Sequence, residues 1–316
     1  MKVVIAARWD QPGCAEVRAA FPGVTFAIAK SPEETIREAA DAEVLFGWPT
    51  AEAIREAKRL RWVQAHSAGM DWMAGLTELI ESDIVVTSMG AAFAATMVEH
   101  VFALLFFLTR GLRHLDAQQR QRAWPRPLGV EPVGLSGLTL GVLGFGHIGR
   151  GVGRVGHALG MRVVAVDVHE IPRPDYLADF WRLDGLPNLL RQTDVLVVAV
   201  PLTTETRGML GTAQLDLLKP SAYVIGISRG EIIDEGALAT RLKAGRLAGA
   251  GLDAFATEPL PPESELWDAP NLIITPHCSG VSRQTTDGCW QVFKENLARY
   301  LAGRPLLNVF DKRRGY

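Results

Sequence analysis

The stretch Thr139–Gly149 reads TLGVLGFGHIG, an apolar run that leads into the pattern G-x-G-x-x-G. The run Thr139–Leu143 predicts a buried β-strand, and the sequence after the glycines is compatible with a helix. A second apolar strand, Arg162–Val166, follows and ends at Asp167. A glycine pattern alone is a weak signal, but strand, glycine turn, helix, strand and acidic residue in this order predict a dinucleotide-binding unit.

The glycines of this turn each have a physical purpose. Gly144 permits the tight turn, Gly146 lets backbone N–H groups approach a diphosphate, and Gly149 allows the helix to pack close to the strand. The helix N-terminus, at His147 and Ile148, supplies partial positive charge to the phosphates. These five residues are therefore predicted to bind the cofactor, and the alternative is a purely structural glycine turn.

Asp167 bears on the choice of dinucleotide. Its carboxylate would accept hydrogen bonds from a ribose hydroxyl and repel a 2′-phosphate, which favours NAD over NADP. His169 and Arg173 lie just beyond it and could accommodate a phosphate. NADP is therefore the less favoured alternative.

The length of 316 residues fits two domains of about 150 residues each. Short apolar strands alternate with helical patterns before and after the glycine turn, which is typical of parallel sheets covered on both faces. The predicted fold is α/β, with a flavodoxin-like substrate domain at 1–102 plus 285–316 and a doubly wound Rossmann domain at 103–284. One long helix is predicted from about 94 to 121, and the Pro- and Gly-rich stretch after it predicts a connector.

The predicted strands fall into two groups. Those of the first domain are Val3–Ala7, Val24–Ala29, Val44–Trp48, Trp62–Ala65 and Ile84–Thr87. Those of the second domain are Thr139–Leu143, Arg162–Val166, Val195–Val200, Tyr223–Ile227, Ala248–Leu252 and Leu272–Thr275. A final helix, predicted over Ser282–Leu301, is long enough to return to the first domain.

Composition and charge narrow the possible functions. Lys and Arg total 33 against 35 Asp and Glu, and this balance argues against a general nucleic-acid binder or binding to an anionic membrane. The longest strongly apolar run, Val101–Leu108, is shorter than the roughly 20 residues of a membrane span. Cys14, Cys278 and Cys289 lack the spacing of metal ligands. We therefore expect no metal and a reduced, cytoplasmic location.

Polar residues follow three predicted strands of the second domain, namely Arg229, Glu258 and His277. Ligands of open α/β sheets bind at the carboxyl ends of the strands, so these side chains are expected to face the nicotinamide. Reduction of a 2-oxo acid needs a proton donor, which His can supply, and a carboxylate can fix the tautomer of that His. A guanidinium can hold the substrate carboxylate. Each residue alone also has a structural explanation, and only the shared placement favours chemistry.

Four ordered blocks of the sequence resemble the D-isomer-specific 2-hydroxyacid dehydrogenases, a family that includes D-glycerate, phosphoglycerate and hydroxypyruvate/glyoxylate enzymes. The blocks are 144–149 with Asp167, 228–238, 249–253 leading to Glu258-Pro259, and 266–267 with 271–277. The resemblance extends over nearly the whole chain. It implies two domains that close over the substrate and a homodimer.

The resemblance also implies a role for each matched residue. His277 matches the acid/base of the family, Glu258 the carboxylate that orients it, and Arg229 the arginine that binds substrate. Asp253 matches the residue that contacts the nicotinamide amide.

Two loops are matched in the same way. Pro201 and Thr206 match the loop on the cofactor side. Ser67, Ala68 and Gly69 resemble the loop whose backbone N–H groups hold the substrate carboxylate, a role that Arg229 and His277 would share.

Three positions depart from the family pattern. His147 stands where Arg is common in the glycine turn, which would weaken the contact with the diphosphate. Gly226 stands where Asn is usual, so a local hydrogen bond would be missing. Trp48 replaces a polar residue and would line the pocket with an aromatic ring; simple packing of the indole is an equal alternative.

Together these features predict a cytoplasmic NAD(P)-dependent oxidoreductase acting on a small D-2-hydroxy acid and its 2-oxo acid, such as glyoxylate or hydroxypyruvate. One alternative is a non-catalytic, NAD(H)-sensing interaction protein of the same fold. Another is a formate dehydrogenase, although those enzymes carry Gln where Glu258 stands and have an extended amino-terminal region.

Overall fold

The computed structural model describes residues 1–315, which divide into two compact units. Unit 1 contains Met1–Phe93 and the segment that begins at Val281, and unit 2 contains Ala94–Gly280. The final helix therefore belongs to the unit formed by the first third of the chain. The substrate and dinucleotide roles of the two units stay predictions at this stage.

The strands and helices alternate along the chain. The strands are β1 (Lys2–Ile5), β2 (Thr25–Ile28), β3 (Val44–Phe46), β4 (Trp62–Gln64), β5 (Val85–Thr87), β6 (Thr139–Leu143), β7 (Arg162–Val166), β8 (Leu177–Trp181), β9 (Val195–Val198), β10 (Tyr223–Gly226), β11 (Gly249–Leu252) and β12 (Leu272–Ile274). The helices are α1 (Pro12–Ala20), α2 (Pro32–Ala39), α3 (Ala51–Glu56), α4 (Thr77–Ile80), α5 (Gly90–Thr109), α6 (Leu112–Arg120), α7 (His147–Ala158), α8 (Leu186–Gln192), α9 (Thr212–Leu215), α10 (Glu235–Lys243) and α11 (Arg283–Leu301).

Unit 1 is built on a parallel sheet with the strand order β2-β1-β3-β4-β5. This is the flavodoxin-like order. One face of the sheet packs against α11, where Phe46 stacks on Trp290 at 4.7 Å and contacts Phe293 at 4.6 Å between ring centroids. Helix α11 begins where the Ser282 side chain accepts a hydrogen bond from the Thr285 N–H, a typical N-cap.

Unit 2 is built on a parallel sheet with the strand order β12-β11-β10-β9-β6-β7-β8. The chain runs outward from β6 to β8 and then returns to β9 on the other side of β6. The loops after β6 and β9 therefore lie at the point where the strand order reverses, which is where doubly wound folds bind ligands. The predicted α/β fold class is confirmed.

Each predicted strand is present, with ends within about two residues of the prediction. Strand β8 was not predicted. It lies at the edge of the sheet and pairs with β7 across a register shift, and Leu177 is the one fully buried residue in its short run LADFW. Such a half-buried edge strand lacks the continuous apolar pattern of the central strands.

The predicted single helix over 94–121 is wrong. Helix α5 ends at Thr109, and α6 begins after Gly111, which adopts φ +63°. A Cβ at Gly111 would also lie 2.9 Å from the Val130 side chain. A left-handed glycine with a close neighbour breaks the helix here, although the residues on both sides favour helix.

Helix α5 is longer than its most apolar segment. Over Gly90–Thr109 it has the length and composition of a membrane-spanning helix, which the run Val101–Leu108 alone does not have. Core helices of soluble proteins share these properties, so a single helix of this kind is weak evidence for a membrane. Within unit 2, its residues Val101, Leu104 and Leu105 pack in the core on the sheet.

Candidate active site

The turn between β6 and α7 has two glycines at which a side chain would clash. Gly144 adopts φ +91°, and a Cβ there would lie 2.8 Å from the backbone of Ala199; a Cβ at Gly149 would lie 2.0 Å from the Gly144 carbonyl oxygen. At Gly146, by contrast, the space within 4 Å of a Cβ is open. Gly146 is also the N-cap of α7, so no side chain caps the first N–H groups of this helix. The turn thus fits a diphosphate.

Asp167 follows β7 and is tied to this turn. One carboxylate oxygen accepts a hydrogen bond from the Phe145 N–H at 2.6 Å, and the other accepts from the His169 N–H at 2.8 Å. Arg173 donates instead to the carbonyl oxygens of Leu177 and Ala178. The negative charge of Asp167 is therefore fixed beside the turn, while the guanidinium that could have held a phosphate is engaged elsewhere.

Arg229, Glu258 and His277 meet at one place in unit 2. Glu258 Oε2 lies 2.8 Å from His277 Nδ1, and Arg229 Nη1 lies 3.5 Å from His277 Nε2. Glu258 Oε1 accepts a hydrogen bond from the Phe255 N–H at 2.8 Å, which fixes the carboxylate. The imidazole is partly exposed. The predicted convergence of these side chains is what the structure shows.

The loop after β12 gives His277 its position. His277 adopts φ +52°, a backbone conformation that residues with a Cβ rarely adopt, and its N–H donates to the Asp253 carbonyl oxygen at 2.8 Å. Strained backbone of this kind persists only where the surrounding structure holds it in place, and it is common at functional sites.

Asp253 is the group that holds this loop. Its buried carboxylate accepts hydrogen bonds from the Thr275 hydroxyl at 2.6 Å and from the N–H groups of Cys278 and Ser279 at 2.9 and 2.8 Å. His100 Nε2 lies 3.0 Å from the same Thr275 hydroxyl. The sequence did not predict this supporting role of His100, and the local signal for it is Thr275, two residues before His277.

The same cluster bears on Cys278. Its thiol, the His100 imidazole and the Asp253 carboxylate place possible ligand atoms within 4.8 Å of one another. Burial, with the negative charge of Asp253, raises the pKa of the Cys278 thiol. A protonated thiol is a poor nucleophile and a poor metal ligand.

Comparison with known proteins identifies the family of the chain. The family model described as D-isomer specific 2-hydroxyacid dehydrogenase, NAD binding domain, matches residues 102–279, which is more than half of the chain. The matched segment contains the glycine turn and the cluster of Arg229, Glu258 and His277. The chain belongs to the D-isomer specific 2-hydroxyacid dehydrogenase family.

Individual relatives cover most of this chain. The glyoxylate reductase of Korarchaeum cryptofilum is 33% identical over 83% of this chain and 79% of its own length. The glycerate dehydrogenase of Methylorubrum extorquens is 32% identical over 87% of this chain and 88% of its own. A D-isomer specific 2-hydroxyacid dehydrogenase from Xanthobacter autotrophicus, solved in complex with NADPH and MES, superposes with a TM-score of 0.85 at 29% identity, covering 100% and 99% of the two chains.

In this member of the family the Thr206 side chain stabilises the loop after β9. Its hydroxyl donates to the Pro201 carbonyl oxygen at 2.7 Å and accepts from the Thr203 N–H at 2.8 Å. Thr206 is buried. The side chain thus shapes the loop, and the predicted cofactor contacts of Pro201 and Thr206 stay predictions.

The loop Ser67–Gly69, which is predicted to hold the substrate carboxylate, follows β4 in unit 1. The Ser67 hydroxyl donates to the Gly69 carbonyl oxygen at 2.8 Å, and the Trp48 indole N–H reaches the Ser67 hydroxyl at 3.4 Å. Trp48 also contacts His66 edge-on and is 44% exposed. Trp48 therefore borders the loop that is predicted to bind the substrate carboxylate, and the roles of Ser67, Ala68 and Gly69 stay predictions.

Proposed function

We propose that the protein is an NAD(H)-dependent oxidoreductase that interconverts a small D-2-hydroxy acid and the corresponding 2-oxo acid. The observation that carries this proposal is the contact of one imidazole with a carboxylate on Nδ1 and a guanidinium near Nε2. Family membership supports the same reaction class. A purely NAD(H)-sensing protein of this fold would have no need for this arrangement.

His277 is the proposed acid/base. Because Glu258 occupies the Nδ1 side, Nε2 is the nitrogen that donates a proton to the carbonyl oxygen of a 2-oxo acid. Glu258 fixes the tautomer and stabilises the imidazolium, since its own second oxygen is held by the Phe255 N–H.

Arg229 is the proposed substrate-binding cation. Its guanidinium lies beside Nε2, where it can pair with the substrate carboxylate and polarise the carbonyl group as negative charge develops on the oxygen. The dinucleotide, when bound, supplies or accepts the hydride at the adjacent carbon.

The residues present fit a dinucleotide at the glycine turn. Open space at Gly146 and the uncapped start of α7 suit the diphosphate. We propose NAD(H) rather than NADP(H), because the Asp167 carboxylate fixed beside the turn would repel a 2′-phosphate. The Xanthobacter relative was solved with NADPH. The preference for NAD(H) is therefore proposed for this chain alone, on the basis of Asp167.

Glyoxylate, hydroxypyruvate or a similar small 2-oxo acid is the proposed substrate. The relatives named glyoxylate reductase and glycerate dehydrogenase support this size class. We also propose a homodimer, supported by apolar residues of α5 that stay exposed, such as Ala95 and Ala103, and by Trp124, which is 86% exposed. Sedimentation analysis of the purified chain tests the dimer.

A panel of 2-oxo acids assayed with NADH and with NADPH tests the function. We expect oxidation of NADH with glyoxylate or hydroxypyruvate, formation of the D-isomer from prochiral substrates, and weaker use of NADPH. Binding of NADH without turnover of any 2-oxo acid would reject the enzyme and favour the sensing protein.

A further inference from the structure

Glu235 contacts the loop that carries Glu258, and the proposed reaction assigns it no role. It is the first residue of α10, next to Asp234, whose side chain caps that helix by accepting from the Ala237 N–H. Glu235 Oε1 accepts a hydrogen bond from the Ala256 N–H at 2.6 Å. A residue at the start of a helix thus reaches across to the loop that carries Glu258.

Two carboxylates hold neighbouring amides of this loop. Glu258 accepts from the Phe255 N–H at 2.8 Å, and Glu235 accepts from the Ala256 N–H. The turn before α10 also touches the loop, because a Cβ at Gly230 would lie 2.0 Å from the Phe255 backbone. The loop is therefore fixed from one side by its own carboxylate and from the other by Glu235.

Charge links Glu235 to the same pair. Burial, with the negative charges of Glu258 and Asp234, raises the pKa of the Glu235 carboxyl, and the hydrogen bond from Ala256 opposes that rise. Glu265, which pairs with Lys243 at 2.7 Å, is a further charged group near the start of α10. Glu235 and Glu258 therefore lie close enough for their charges to interact. By Coulomb's law, a carboxylate beside the Glu258–His277 pair attracts a positive charge on the imidazole.

We propose that Glu235 is a positioning residue of the active site: it holds the loop that directs the Glu258 carboxylate onto His277, and its negative charge favours the imidazolium. The expected effects on kinetics rest on the proposed function. The hydrogen bonds and the expected effect on the His277 ring do not, because they can be tested in the protein without substrate or cofactor.

Two variants separate the hydrogen bond from the charge. Glu235→Gln keeps a carbonyl oxygen that can accept from the Ala256 N–H but removes the charge, whereas Glu235→Ala removes both. We expect Glu235→Ala to lower kcat about 10-fold or more with the NADH dissociation constant nearly unchanged, because small misplacements of catalytic groups are costly. Glu235→Gln should restore most of this loss at its own optimal pH.

The pH dependence of activity tests the effect of the Glu235 charge. In the reducing direction the imidazole must carry a proton, so activity falls as the pH rises through its titration. Glu235→Gln should move this fall to lower pH by roughly 0.5 pH unit, a shift of the size that one nearby surface charge produces. If the role of Glu235 were only structural, the substitution would lower stability without shifting the pH profile of activity.

The same shift is measurable without substrate or cofactor. NMR titration of the labelled imidazoles follows His277, identified as the signal that His277→Gln removes, and this signal should titrate at lower pH in Glu235→Gln. Glu265→Gln is the matched control, since it removes a neighbouring carboxylate that pairs with Lys243 rather than with the loop. It should leave the His277 titration in place.

The outcomes decide between the explanations. An imidazole titration in Glu235→Gln that overlays the wild-type curve overturns the proposal, as does an equal shift in Glu265→Gln or wild-type kcat in Glu235→Ala. If Glu235→Ala does not fold, the titration of Glu235→Gln decides alone. If the wild-type protein reduces no 2-oxo acid, the proposed function fails while the NMR result still tests the position and charge of Glu235.

Discussion

Glu258 Oε2 lies 2.8 Å from His277 Nδ1, whereas the Nε2 atom on the other side of the ring faces the Arg229 guanidinium at 3.5 Å. The two ring nitrogens thus have different surroundings. The carboxylate side is part of the protein framework, and the guanidinium side is where a substrate oxygen can bind. This difference supports the proposal that Nε2 is the atom that transfers the proton, and it makes the contribution of each neighbour measurable.

Replacing His277 removes the proposed proton donor. We expect His277→Ala to lower kcat for 2-oxo acid reduction by about 10²-fold or more, while NADH affinity stays nearly unchanged. Steady-state kinetics and a fluorescence titration with NADH measure the two quantities. His114→Ala, on α6, is the control and should keep wild-type kcat. Near-normal turnover in His277→Ala would refute the assignment.

Arg229 should act on the substrate rather than on the cofactor. Arg229→Lys keeps the positive charge but loses the planar guanidinium that can pair with a carboxylate through two N–H groups. We expect KM for the 2-oxo acid to rise about 10-fold or more, with the NADH dissociation constant within about twofold of wild type. An unchanged KM would show that the guanidinium does not bind substrate and instead has a structural role, such as its hydrogen bond to the Ser228 carbonyl at 2.7 Å.

The sequence alone predicted the parts of the fold that local pattern determines. Central strands such as β6 and β7 were predicted with their observed ends, because strands buried on both faces are continuous apolar runs bounded by turns. The glycine turn followed from backbone sterics at Gly144 and Gly149. Arg229, Glu258 and His277 could be grouped because parallel strands bring their carboxyl ends to one edge.

Features that depend on distant contacts were not predictable. The contact between His100 and Thr275 joins residues 175 positions apart, and no periodicity in either segment indicates the other. The bond from the Phe145 N–H to the Asp167 carboxylate depends on how two loops meet, and the sequence does not indicate it. The left-handed Gly111 is one glycine among many in the sequence, so the helix break was not evident.

Asp167 should control the choice of dinucleotide. Asp167→Asn removes the negative charge but keeps an oxygen that can accept from the Phe145 N–H or from a ribose hydroxyl. We expect the ratio of kcat/KM with NADH to kcat/KM with NADPH to fall about 10-fold or more, because repulsion of the 2′-phosphate is lost. Asp175→Asn, eight positions further on, is the charge-matched control. A ratio that stays at the wild-type value would show that Asp167 only ties the turn together.

His66 gives unit 1 a dependence on pH. Its ring contacts Phe46 and Trp48 edge-on, and within the described residues its buried Nε2 has no hydrogen-bond partner. Burial, with a smaller effect of the Arg8 charge, lowers the pKa of His66 to about 4 from its usual 6.5. The folded protein therefore binds this proton less tightly than the unfolded chain does.

Stability should accordingly be full above pH 6.5 and decrease as the pH falls toward 4, since the unfolded state binds more protons in this range. A difference of this size corresponds to about 3 kcal/mol at pH 4. Urea unfolding followed by tryptophan fluorescence at pH 7 and pH 4 measures it. His66→Phe cannot be protonated and keeps an aromatic ring beside Phe46 and Trp48, so it should lose about 3 kcal/mol less over this interval. If both proteins lose the same free energy of unfolding, His66 is not the titrating group.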